Sequence, residues 1–297
     1  MGEETGIRWC DATDNPIRVK HPETGKFGGF YCVKISPGCT NCYAADMVAT
    51  GRFGEAYDYV AGPNAPELYL DEDLIYGWAK KQKAKKRFVS SMTDICGEFI
   101  PPQWYFCILD AQLGAPKQTF LNLTKRASNM LHWTYRWMKT REVEQAPSNM
   151  WMGFSAENQE WFDRRWAYTS RLHKLFGFTT WVSAEPLLGP IHLPDSFLSL
   201  GKKVWVVAGG ESGHKARPMH PDWARHLRDQ CIEAGIPCFF KQWGEFAPGE
   251  KGRLYHQPTL DFSDGQPMVR VGKHVAGYLL DGTEWSLWPD SEPFKEG

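Results

Sequence analysis

Cys32, Cys39 and Cys42 fall within eleven residues, in the run YCVKISPGCTNCYA. The spacing, C-x6-C-x2-C, is one thiolate short of a four-cornered metal site. A structural zinc takes four ligands, and a cubane iron–sulfur cluster is usually held by four thiolates. Three close cysteines without an evident fourth suit a cluster with one iron left open for a substrate or cosubstrate. The same residues also suit half of a zinc site completed elsewhere, a Cys-x2-Cys redox dithiol, or thiols buried as small apolar side chains. Between them, Ser36-Pro37-Gly38 is a turn that folds Cys32 back toward the Cys39–Cys42 pair. Tyr43-Ala44-Ala45-Asp46-Met47 reads as the start of a helix whose first amides face the sulfurs.

A second constellation is Gly209-Gly210-Glu211-Ser212-Gly213. Two glycines at a strand end let backbone approach a ligand closely, and the carboxylate beside them can accept from an amine or a ribose. There is no G-x-G-x-x-G and no Gly-Lys-Ser/Thr, so this is not a phosphate cradle. The plain alternative is a tight turn before a loop. His214, Lys215, Arg217 and His220 follow it.

The elements that must carry these residues repeat one pattern: a short β-rich run, polar residues at its end, then a helical stretch. Six runs show it, at 87–94, 119–126, 150–158, 180–186, 203–213 and 237–244. Helices are expected over Gln103 to Leu113, Asn158 to Phe176, and Pro221 to Ala234 with Gly235 as the stop. Near-continuous apolar strands alternating with helices read as parallel βα units. With a further strand near Phe30-Tyr31, they predict an α/β chain built as a full or partial (βα) TIM-like barrel. Residues 1–246 form that domain, and 247–297 a small C-terminal appendage, in which Gly272 to Gly282 reads as a small hairpin with an Asp281-Gly282 turn. The stretch Thr50–Asp73 is a candidate lid. Catalytic groups of such barrels sit at the C-terminal strand ends. Ser90, Ser91, Asp94, Asn122, Lys125, Arg126, Ser155, Glu157, Asn158, Ser183, Glu185, Glu211, Ser212, Lys241 and Gln242 are therefore expected at one mouth. Taken singly, each is as well explained as a cap or surface residue.

Composition narrows the classes. The chain has 297 residues, 42% of them hydrophobic, and a net charge of −1. That balance gives no global pull toward nucleic acid or membrane. Lys80 to Arg87 nevertheless carries six positive charges in eight residues, most simply a solvated helix end. No apolar run approaches the ~20 residues of a spanning helix, and the first residues are polar. A cytoplasmic protein without a disulfide framework is expected.

Several of these motifs together resemble the bacteriophage-associated three-cysteine-motif family of the radical SAM superfamily. They are the C-x6-C-x2-C-Y-A run, Ser90-Ser91-Met92-Thr93-Asp94, Leu123-Thr124-Lys125-Arg126, Ser155-Ala156-Glu157-Asn158, Ala184-Glu185-Pro186, Gly209-Gly210-Glu211-Ser212-Gly213 and Phe239-Phe240-Lys241-Gln242-Trp243-Gly244. Trp9 and Asp11 to Pro16 also fit, and the likeness runs in order from about residue 7 to 246. The first gap is three residues longer than the usual C-x3-C-x2-C. The resemblance implies a [4Fe-4S] cluster on Cys32, Cys39 and Cys42, with S-adenosylmethionine (SAM) on the open iron and a 5′-deoxyadenosyl radical as its product. It implies cofactor contacts from Tyr43, Ser90, Ser155, Glu157, Asn158, Gly209, Gly210, Glu211 and Ser212. Lys125, Glu185 and Lys241 are the expected catalytic residues, and Arg126 can hold a substrate anion with Lys125 and Lys241. It further implies a one-electron reductant such as flavodoxin or ferredoxin, and the host cytoplasm if the chain is phage-encoded. The expected substrate is a modified base in phage DNA or a modified nucleotide, an amino-acid-modified thymidine being isomerised from nitrogen to carbon attachment. The alternatives are a lyase of the photoproduct-lyase kind and a non-catalytic, zinc-containing nucleic-acid-binding protein.

Overall fold

The computed structural model describes residues 5–53, 59, 61, 62, 64–250, 252 and 256–290. It is a mixed α/β chain. The first strands are β1 (Ala12–Asp14), β2 (Ile17–Lys20), β3 (Phe27–Gly29) and β4 (Leu68–Leu70), with α1 (Tyr43–Ala49) and α2 (Glu72–Tyr76) among them. Then β5 (Lys85–Val89), α3 (Pro102–Leu113), β6 (Gln118–Thr124), α4 (Ala127–Thr140), β7 (Met150–Ser155), α5 (Gln159–Phe176) and β8 (Thr179–Ala184) alternate. They are followed by α6 (Asp195–Leu198), β9 (Val204–Gly209), α7 (Pro221–Glu233) and β10 (Cys238–Gln242). The remainder is β11 (Phe246–Pro248), β12 (Thr259–Asp261), β13 (Pro267–Arg270), α8 (Lys273–Ala276), β14 (Leu279–Leu280) and β15 (Thr283–Glu284). One seven-stranded sheet has the order β1-β5-β6-β7-β8-β9-β10.

The chain divides into two compact units, Met1–Phe154 with Arg165–Thr180, and Ser155–Arg164 with Trp181–Gly297. In the first, β1, β5, β6 and β7 are successive parallel neighbours, with Ala12 opposite Arg87, Lys85 opposite Gln118 and Phe120 opposite Met150. All six residues of β7 are buried, as a parallel strand covered on both faces requires. The core between sheet and helices holds Trp78, Tyr105, Phe120, Trp137 and Met150. β2, β3 and β4 make a separate antiparallel sheet.

In the second unit, β9 and β10 are parallel, and every residue of β9 is buried. Residues beyond β10 return along its outer edge. Phe240 N donates to Trp285 O at 2.8 Å and Leu287 N to Cys238 O at 3.1 Å, while Trp205 Nε1 donates to Leu287 O at 2.7 Å. Edge pairing of this kind removes an exposed row of backbone groups.

Six expected strands are present as β5 to β10, and three expected helices as α3, α5 and α7. Gly235, with φ +65°, ends α7 as anticipated. The expected strand at Phe30-Tyr31 is absent, since both residues lie in a loop. The strand beside β5 is instead β1, only three residues long. Buried aromatics suggested β structure there, but Phe30 is buried by packing in the small apolar cluster of the cysteine loop. Part of the supposed lid lies outside the described residues; its end is β4, paired with β2. Helix α4 follows the run ending at Arg126, as the alternation predicts without bounds, and Met130, Thr134 and Trp137 recur on its buried stripe.

Lys273–Ala276, expected within the hairpin, is instead the short helix α8, bracketed by Gly272 and Gly277 at positive φ, but the Asp281-Gly282 turn is present. Both turn residues have positive φ, +54° and +78°, as a two-residue turn joining β14 to β15 demands. Asp281 also accepts from Arg225 at 2.8 Å and from Arg228 at 2.6 Å. Hydrogen bonds from Arg225 hold its carboxyl below the ordinary carboxylate range. A depressed carboxylate contributes stability above its unfolded value, about pH 4. That contribution fades as pH falls through the lower folded value. The group is partly exposed, so the effect is under about 1 kcal/mol. Urea midpoints of the wild type and Asp281→Asn should differ at neutral pH and converge on acidification.

Candidate functional site

The first unit gathers the cysteine loop, the turn after β5 and the start of α4. Pro37–Cys39 forms one 3-10 turn and Cys42 caps α1, so the predicted turn and helix start are both present. All three thiols are free and half-buried. Cys32 and Cys42 pack on the same apolar cluster of Phe30, Ala44, Ala45, Val48, Tyr59 and Met92. Cys39 Sγ lies 3.7 Å from Ser36 Oγ. Among the described residues no group of three or more His, Cys, Asp or Glu side chains is set to hold a metal ion. Burial, then the Asp94 charge, pushes the Cys32 thiol up to about 12, while the Asp94 amide donates to its sulfur and opposes the shift.

Asp94 and Arg126 tie this region together. Asp94 accepts from Thr124 Oγ1 at 2.7 Å, from the amides of Cys96 and Lys125 at 3.0 Å, and from Arg126 at 3.2 Å. Arg126 also donates to Glu98 at 2.6 Å and to the Val33 carbonyl at 3.0 Å. Its guanidinium is therefore committed to holding the cysteine loop against the β5 and β6 turns, where an open substrate-anion site was expected. Tyr43 and Tyr59 donate to the carbonyls of Ser91 and Met92 at 2.9 and 2.8 Å, fastening α1 and residue 59 to that turn. Ser90 has φ +70°, uncommon for a residue with a Cβ. The buried Ser90 Oγ and Thr93 Oγ1 have no hydrogen-bond partner among the described residues. Strain and orphaned hydroxyls in one turn are the marks of a place where a ligand's polar groups belong. Soft thiols, a sulfur-directed amide and two unused hydroxyls are a donor set that fits an iron–sulfur cluster with a polar cosubstrate. Lys125 follows β6, and its amide donates to Asp94 at 3.0 Å. Asn122 does not reach that turn: it is buried in a reciprocal amide pair with Gln112, at 2.8 and 3.0 Å.

The second unit gathers the ends of β8, β9 and β10. Glu185 follows β8 and pairs with Lys241 at 2.8 Å, with Ser183 Oγ donating to it at 3.1 Å. A Cβ on Gly209 would stand 3.1 Å from Glu185 Oε1, so the glycine makes room for that carboxylate. Glu211 is buried and clasped by the Arg217 guanidinium and amide. An amine ligand would have to share or displace that arginine. Ser212 accepts from Gln242 at 2.7 Å. Ser155 and Glu157 are buried near the start of the same unit; the hydrogen bond to Glu211, and to a smaller degree the Glu157 charge, raises Arg217. Asn158 accepts from the Trp161 amide at 3.2 Å and caps α5.

Gly210 serves packing. A Cβ there would meet Trp243 O at 1.9 Å, and one on Gly244 would meet Glu211 O at 2.1 Å. The space beside Gly210 is filled by backbone, where close approach of a ligand was expected. Gly210→Ala should lower stability by roughly 3 kcal/mol or more, measured by thermal melting. A change below about 1 kcal/mol would mean that the 243–244 backbone moves aside freely.

A family model described as a protein of unknown function matches residues 4–289. The chain belongs to the DUF5131 family. No curated protein and no solved structure matches it. The match takes in both units and therefore every residue named above.

Two members of the second constellation escaped the sequence reading. Lys273 opens α8, and partial burial, then the charge of Lys241 beside it, lowers its ammonium; Glu185 and Glu245 act in the opposite sense. Glu245 accepts from the Gly213 amide at 3.0 Å. No local signal marks either residue, because Lys273 lies 32 positions from Lys241 in a segment without motif character.

Proposed function

We propose that this DUF5131 member is a radical SAM enzyme, with a [4Fe-4S] cluster held by Cys32, Cys39 and Cys42 and with SAM as cosubstrate. The observation that carries the reading is the C-x6-C-x2-C loop of free thiols leading into α1, with Cys32 and Cys42 on one apolar cluster and the Asp94 amide aimed at Cys32. The parallel sheet supports reading the fold as a partial (βα) barrel of the radical SAM type. When bound, the cluster and SAM supply one-electron chemistry, a carbon radical able to take hydrogen from an unactivated C–H bond. The chain's own residues do the rest. Arg126 and Asp94 hold the cysteine loop, and the apolar cluster packs behind Cys32 and Cys42. Ser90 and Thr93 offer unused hydroxyls to a polar ligand. Lys125, Glu185 and Lys241 are the proposed catalytic groups. The substrate follows the resemblance alone: a modified thymidine in DNA or as a nucleotide, isomerised from nitrogen to carbon attachment. A base in duplex would have to be flipped out to react. A small electron-transfer protein in a reducing cytoplasm completes the cycle.

Anaerobic loading with iron and sulfide, then dithionite and SAM, tests this. Iron, absorbance near ~400 nm and release of 5′-deoxyadenosine are expected. Stoichiometric zinc with no iron uptake overturns the reading.

A further inference from the structure

We propose that the loop from Lys80 to Lys86, with Lys117 beside it, is a docking surface for the phosphate backbone of duplex nucleic acid. It lies at the N-terminal ends of β5 and β6, whereas Asp94 and Arg126 follow their C-terminal ends. The inference does not rest on the proposed chemistry, since a chain without iron would keep this surface.

The charge is concentrated. Lys80 to Arg87 carries six positive charges and no acid. With a total of −1, the other residues sum to −7, so this segment is opposite in sign to the rest of the chain. Lys80, Lys81, Lys83 and Lys117 are exposed, and Lys85 and Lys86 half-buried. Arg87 is withdrawn into the core, paired with Asp14 at 2.9 Å. Asp11 accepts from the Lys86 amide at 2.7 Å.

The loop is also held from beneath. Fully buried Gln118 donates to the carbonyls of Lys81 and Lys83 at 3.2 and 2.9 Å and accepts from Arg87 Nε at 2.8 Å. Trp78 Nε1, just before the loop, donates to the same Asp14 oxygen at 3.1 Å. Lys117 Nζ reaches Gln82 Oε1 at 2.7 Å. A buried network thus fixes the lysine-bearing backbone at both ends, and preorganisation of this kind lowers the ordering cost of binding.

The residue types choose the partner. Between the exposed lysines stand only Gln82 and Ala84. A protein interface is anchored by buried aromatic or arginine side chains, and none is offered here. Lysine is a point charge without the bidentate fork that reads base edges. A repeating phosphate backbone, bound without regard to sequence, is the matching ligand.

The test is fluorescence anisotropy of the full chain with a labelled duplex of arbitrary sequence across a salt series. Each phosphate neutralised contributes a slope of about −0.9 in log K against log salt. Lys80→Gln/Lys81→Gln/Lys83→Gln should lower the slope by about 2 to 3 and weaken low-salt binding at least about tenfold, with an unchanged melting temperature. Lys202→Gln/Lys203→Gln removes exposed charge elsewhere and should leave the slope intact. An unchanged slope in the triple variant, an equal loss in the control, or tighter binding to polyglutamate than to DNA each overturns the proposal.

Discussion

In anaerobically reconstituted protein, Cys42→Ala is expected to hold little iron and to release no 5′-deoxyadenosine above background. Cys32→Ala and Cys39→Ala should behave alike. A cluster held by three thiolates would have none to spare, so loss of any one of Cys32, Cys39 and Cys42 should abolish stable loading. The wild type should carry about four irons per chain. Circular dichroism should be unchanged, since an alanine still fills most of the volume of a half-buried thiol. The pattern across the three variants separates the chemistries. A dithiol on Cys39 and Cys42 leaves Cys32→Ala fully active. A zinc site exchanges iron for zinc in the wild type. Full iron and turnover in Cys39→Ala would sink the three-cysteine reading, and Cys39 is the informative position because its sulfur stands beside Ser36 and outside the apolar cluster shared by Cys32 and Cys42.

Arg126→Met should cost about 3–5 kcal/mol in denaturant unfolding, because it strips a buried carboxylate of its charge partner. The Arg126 side chain is 4% exposed and that of Asp94 9%. The loss should also reach the thiols. With no donor to the Val33 carbonyl, the cysteine loop is freed at one end, and Cys32 should alkylate faster than in the wild type. Arg126→Lys keeps the charge but not the three-way fork, and should restore less than half of the lost stability. A change under about 1 kcal/mol with unaltered Cys32 alkylation would show that the loop is held by its apolar packing alone.

Much of this molecule was readable before folding was considered. Runs such as Val204-Trp205-Val206-Val207-Ala208 are buried on both faces and therefore announce themselves by composition alone. The Ser36-Pro37-Gly38 turn, the start of α1 at Cys42 and the Asp281-Gly282 hairpin follow from local backbone preferences that hold in any context. Strand β1 was not readable, because three residues are too few to show a period. Asn122 was misplaced for a related reason: an amide at a strand end looks the same whether it faces a ligand or a partner such as Gln112.

What residue type and spacing determined by themselves are the three thiols on one loop, the alternation of strand and helix, and the concentration of lysine before β5. These depend on neighbours along the chain. Only tertiary structure decided which charges are already spent, as with Arg126 on Asp94 and Glu98, Glu211 on Arg217, and Glu185 on Lys241. It also decided why Gly210 must be glycine and that Lys273 joins Lys241. Those outcomes turn on groups 6 to 56 positions apart. Burial strengthens each such pairing, and no local pattern records it.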